Sequence, residues 1–101
     1  MYSLKKLHKC AYAVYELRDY LCSLESLLTE SKQPLKAEES YIAANKIREL
    51  IEETKNACEL DIPNYKKIVE AVKIFEKVGN LPSLRDVEKK IKLAMMSNTI
   101  E

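Results

Sequence analysis

The stretch KLHKCAYAVYELRDYLCSLESLL, residues 6–28, decides the fold. It contains neither Pro nor Gly. Leu7, Val14, Leu21 and Leu28 recur every seven residues, and Cys10, Leu17 and Leu24 fill the alternate three–four spacing. An apolar seam with that period marks a helix that packs along its length on another helix. Leu7, Val14, Leu17, Leu21, Leu24 and Leu28 are therefore the expected core positions. Extended over about residues 4–29, the pattern predicts a rod about 40 Å long.

Outward from this helix, the punctuation is sparse. Gly and Pro interrupt regular structure most strongly, and here they fall only at Pro34, Pro63, Gly79 and Pro82. They cut the chain into four pieces, none with an alternating strand pattern. A second helix is expected over about 35–60. Its seam of Ala37, Ser40, Ala44, Ile47, Ile51, Thr54 and Cys58 is crowded with small residues that permit close approach to the first helix. Tyr41, Ala43, Leu50 and Ala57 widen that seam. A third is expected over about 63–78, with Tyr65, Ile68, Val69, Val72, Phe75 and Val78 on one face and Gly79 as its left-handed terminator. The fourth is expected over about 83–96, opened by Ser83 as N-cap with Asp86 three residues on. The predicted fold class is all-α: an antiparallel bundle of two long and two short helices, with short connectors favouring antiparallel neighbours. Residues 1–101 make one domain, or a piece of a longer chain.

Hydrophobic residues make up 47% of the chain and charged residues 33%, with a formal net charge of +1. That near-balance disfavours a nucleic-acid module, which carries a basic footprint. No apolar run approaches the ~20 residues a membrane-spanning helix needs, and the charged start MYSLKKLHKC does not resemble a signal peptide. The three cysteines, Cys10, Cys22 and Cys58, contain no CxxC pair. Cys10 and Cys22 stand roughly 18 Å apart on one helix and cannot bond to each other. Reduced thiols in a cytoplasmic setting are expected, with a disulfide to Cys58 as the alternative.

The first helix has a second face. His8, Tyr12, Tyr15, Asp19, Cys22 and Ser26 follow one another at spacings of four and three, opposite the leucine seam. Tyrosine joins an apolar ring to a polar tip, tolerates both burial and water, and is enriched at protein contacts. Either the short helices cover this stripe, or it is a partner-binding face built on His8, Tyr12, Tyr15 and Cys22. Two short helices cannot fully cover a long hairpin, so some of it is expected to be bare or covered from outside.

Chemistry is sparse. The single histidine, His8, points away from Cys10 two residues on, so no metal site is expected. The carboxylates Glu38, Glu39, Glu49, Glu52 and Glu53 lie among lysines as a solvated, salt-bridged face. One glycine precludes a phosphate-cradling loop. No nucleophile, base and orienting group assemble, so a non-enzyme with no cofactor is expected.

Three phrases carry a family resemblance: LKKLHKCAYAVYELRDYLCSLESLL at 4–28, SYIAANKIRELIEE at 40–53 and LPSLRDVEKKIKLAM at 81–95. Together they resemble subunits of the multisubunit vesicle-tethering complexes, of the conserved oligomeric Golgi or Golgi-associated retrograde type. The first resembles the leucine-rich N-terminal helices of those subunits, the second a recurring tyrosine–alanine helix (here Tyr41, Ala43 and Ala44), the third a Leu-Pro-x-Leu turn. Subunits of that family are several times longer. The resemblance implies a helical protein–protein interaction module in protein transport, cytoplasmic and peripheral to the Golgi membrane, binding other helical chains. Self-association into a homo-oligomer fits the same surface. The alternative is a small helical regulator of the bacterial immunity or antitoxin type, which binds and neutralises a partner protein.

Overall fold

The computed structural model describes the backbone of residues 4–98 and the side chains of residues 8–96. Four helices account for nearly all of it: α1 (Leu4–Ser31), α2 (Ala37–Cys58), α3 (Ile62–Val78) and α4 (Leu81–Asn98). Each packs on its chain neighbour, and α4 returns to α1 to close the ring, with the α1–α4 contact the thinnest of the four. The result is an elongated bundle of 46 × 23 × 19 Å.

The leucine seam faces inward. Leu17, Leu21, Leu24 and Leu28 are buried, against Ala43, Ala44, Ile47, Leu50 and Ile51 of α2 and the inner faces of α3 and α4. Val14 is half-buried, and the side chain of Leu7 lies outside the described residues. Phe75, Val72, Leu84 and Val87 are fully sealed and centre the α3–α4 half of the core. Three residues expected to face inward do not: Ala37, Tyr41 and Val78 are exposed. Ala37 and Val78 lie at helix ends, beyond the reach of the neighbouring rods, and Tyr41 follows buried Ser40 onto the outer side.

The helix starts correct two expectations. Helix α2 opens at Ala37 rather than at about residue 35, with Lys36 as N-cap and Pro34 in the connector. Lysine has no acceptor, so only half of a capping box forms there, the Lys36 N–H donating to Glu39 Oε1 at 3.2 Å. Helix α4 begins at Leu81, two residues early, because Asn80 and not Ser83 is the cap. Asn80 Oδ1 accepts from the Ser83 N–H at 3.1 Å while Ser83 Oγ accepts from the Asn80 N–H at 3.3 Å. Pro82 thus lies inside the first turn, where its missing N–H has no helical partner to lose. Asp61 caps α3 by accepting from the Asn64 N–H at 3.0 Å.

One knot ties both connectors together. Ser40 is buried and donates to the Phe75 and Glu76 carbonyls, each at 2.8 Å, satisfying the C-terminus of α3 from α2. The Leu35 N–H donates to the Gly79 carbonyl at 2.8 Å. Gly79 holds a left-handed φ of 59°, and a Cβ there would stand 2.7 Å from Ser40 Oγ and 2.9 Å from Ser40 Cβ. Lys32 and Glu59 take the same left-handed φ, so a side chain alone does not forbid it; the crowding by Ser40 does. Gly79→Ala is therefore expected to destabilise by about 2 kcal/mol, from the left-handed backbone and overpacking together. Denaturant unfolding would show it as a lower midpoint at unchanged slope.

The largest correction concerns the thiols. Cys10 and Cys58 form a disulfide, Cα to Cα 4.8 Å, rather than remaining reduced. Each lies on the seam facing the other helix, and antiparallel pairing brings Cys10 of α1 level with Cys58, the last residue of α2. Residues 4–9 of α1 consequently project past the end of α2. The length mismatch is confined to these turns and to the open side of the ring. Helix α2, at 22 residues, exceeds α3 and α4, at 17 and 18, by little more than a turn.

Candidate docking face

The second face of α1 is not covered by the short helices. Tyr12 is 64% exposed and Tyr15 66% exposed, and His8 and Cys22 are exposed as well. The ring order explains this: α3 packs on α2 and α4, and α4 meets only one flank of α1.

The stripe divides into two parts. Tyr12 lies on the α2 side of α1, where the carboxylate of Glu16 one turn on, and more weakly that of Glu53 on α2, hold its phenol above the usual tyrosine range. With His8, Lys9 and Ala11 it lines a shallow cleft near the start of α1. Tyr15 and Cys22 turn toward α4 and line a groove of about 1270 Å³. The structure therefore brings Tyr15 and Cys22 together and separates both from His8 and Tyr12.

The groove exists because α1 and α4 meet only thinly. Its floor is Leu17, Leu21 and Ile91, with Thr54 of α2 visible between them. Thr54 would leave a buried hydroxyl in this apolar floor, but it donates to the Leu50 carbonyl at 2.8 Å. Val14, Tyr15 and Met95 line the end toward the start of α1. The walls carry charge from both helices: Arg18, Asp19 and Glu25 from α1, and Arg85, Glu88, Lys89 and Lys92 from α4. Arg85 Nε stands 3.6 Å from Glu25 Oε2, a partly exposed pair. Burial, and then the nearby Glu25 charge, push the Glu88 carboxyl up, with Arg85 opposing. No ion pair reaches Arg18, Lys89 or Lys92 among the described residues.

Charge on the far side of the molecule is spent on structure. Arg48 makes a two-pronged contact with Glu76, Nη2 to Oε1 at 2.9 Å and Nη1 to Oε2 at 3.3 Å, joining α2 to α3. The Arg48 hydrogen bond holds the Glu76 carboxyl below the usual range. Tyr65 donates to Glu52 Oε1 at 2.7 Å, and the Lys55 ammonium lies 4.6 Å from the Tyr65 ring centre. Of the α2 carboxylates that the sequence places on a solvated face, these contacts use Glu52.

Periodicity along α1 marks the tyrosine stripe but leaves open whether the short helices cover it; the structure leaves both rings exposed. The α4 wall of the groove was missed, because Arg85, Lys89 and Lys92 look in sequence like any solvated helix face; their spacing of four and three was the available signal. Among the described residues no cluster of three or more His, Cys, Asp or Glu could hold a metal ion, and no helix is long and apolar enough to cross a membrane. No protein-family model, no curated protein and no solved structure matches the chain.

Proposed function

We propose that this chain is a non-catalytic interaction module that docks a helix of another polypeptide against the outer face of α1. The observation that carries the reading is Tyr15, two-thirds exposed at an open interhelical groove, with Tyr12 equally exposed on the neighbouring flank of α1. Large amphipathic rings next to an apolar floor offer an extended site of the helix-in-groove kind. His8 and Tyr12 extend that face toward the start of α1, and Tyr15 and Cys22 belong to the groove.

The disulfide bears on where this happens. A bond between two helices persists in oxidising compartments and is rare in the cytosol. It supports an encounter in an oxidising space, and it weighs against the cytoplasmic, Golgi-peripheral setting that the tethering resemblance implies. A compact regulator that captures a partner protein suits an oxidising space better than a tether piece does.

Tyr12→Ala combined with Tyr15→Ala tests the reading. Both rings already face water, so helix content and melting temperature, read by circular dichroism, are expected to change by no more than a few degrees. Binding of a fluorescent, leucine-faced amphipathic helical peptide is expected to weaken tenfold or more. A double variant that binds the peptide as the parent does would overturn the proposal, and one that melts far lower would return the rings to the core.

A further inference from the structure

On α1 the core begins late. Leu17, Leu21, Leu24 and Leu28 belong to the buried cluster, and before Leu17 the one buried side chain among the described residues is that of Ala13. His8, Lys9, Ala11 and Tyr12 face water, and Val14 is half-buried. Among the described residues, little apolar area therefore holds the first turns of the helix to the bundle, since a methyl group buries far less than a leucine side chain. The first turn of α1 also carries no acidic residue to complement the positive end of the helix. Helix ends with so few buried contacts open at little cost.

The Cys10–Cys58 bond supplies what packing does not. It pins the start of α1 to the end of α2. The stretch from Cys10 to Leu17 is thus clamped at one end by a covalent bond and at the other by the core. Both cysteines are half-buried and keep part of their surface in water. Thiol–disulfide exchange depends on that access.

We propose that the Cys10–Cys58 bond is a reversible latch: its reduction by a thiol frees the start of α1, as far as Ala13, while the bundle beyond stays folded. The chemistry balances with two thiols. A thiolate attacks one sulfur, forms a mixed disulfide and releases the other cysteine as a thiolate; a second thiol then displaces the first. The two cysteines gain two electrons and two protons, and the reductant leaves as its own disulfide. The latch goes beyond the docking reading and does not depend on it. It does divide that face, because His8 and Tyr12 lie on the latched turns and the groove with Tyr15 and Cys22 lies beyond them.

Amide hydrogen exchange of the whole chain, followed by solution NMR with and without dithiothreitol, is the test. In the oxidised chain the amides of residues 11–14 are expected to be protected. In the reduced chain they are expected to exchange about tenfold faster or more, near the rate of an unstructured peptide, while those of Leu21, Leu24 and Leu28 stay protected. Cys10→Ser with Cys58→Ser is expected to show the reduced pattern without any reductant. Unchanged protection at residues 11–14 in the reduced chain and in the double variant would overturn the proposal, because the first turns would then need no latch. Loss of protection throughout would overturn it too, by making the bond a support of the whole fold. So would a bond that dithiothreitol leaves intact in the folded chain.

Discussion

Leu17→Asp is expected to unfold the chain. Leu17 is 1% exposed, joins the core shared by all four helices, and floors the α1–α4 groove. Aspartate there loses the leucine contacts and buries a carboxylate that no cation in the floor can meet. The first loss alone, as in Leu17→Ala, costs about 2–5 kcal/mol. An unpaired buried charge adds several more, against a total stability of about 5–15 kcal/mol for a domain of this kind. Far-UV circular dichroism at neutral pH should therefore show little cooperative melting in Leu17→Asp and a lowered but cooperative melt in Leu17→Ala. A Leu17→Asp variant that melts like the parent would mean that the seam does not face the bundle.

The second large effect belongs to the disulfide. The Cys10–Cys58 bond closes a loop spanning 48 positions. In the chain-entropy account, a loop of that size stabilises by about 4 kcal/mol, within an observed range of about 2–5. Cys10→Ser with Cys58→Ser should lose about that much. For a domain of this length this is a fall of roughly 15–30 °C in melting temperature. Calorimetry of the double variant and of the parent under reductant should agree, since both remove the same constraint from the unfolded chain. Equal melting of oxidised parent and double variant would mean that the bond contributes nothing to the fold. The α1–α2 pairing itself survives, because Leu17, Leu21, Leu24 and Leu28 lie beyond the bond and remain packed.

Much of this architecture was legible in the sequence. Seven-residue recurrence on α1, the small residues of α2 and the Pro and Gly breaks are local signals, and the four helices follow from them. What was not legible depends on how separate helices meet. Cys10 and Cys58 were each visible on a seam, but only the axial register of α1 against α2 puts them side by side. Register is set by the five residues between the helices and by the Ser40–Gly79 knot, which joins positions far apart in sequence. The start of α4 was misread for a local reason. Asn80 and Ser83 are both good caps, and Pro82 seemed to belong outside the helix although the first turn tolerates it. The groove was not readable at all: the gap between α1 and α4 follows from the order of the ring, and the same wall residues on a more tightly closed bundle would form an ordinary solvated surface.

The position of the Cys10–Cys58 bond also governs how the molecule carries mechanical load. Tension applied at the beginning of α1 crosses at Cys10 to the last residue of α2 and continues into α3, bypassing everything between. The leucine zipper of the hairpin is left slack while α3 and α4 bear the pull. Stretched to its limit, the oxidised chain falls short of the reduced one by the hidden length of the bypassed segment, about 160 Å at an extended residue's reach.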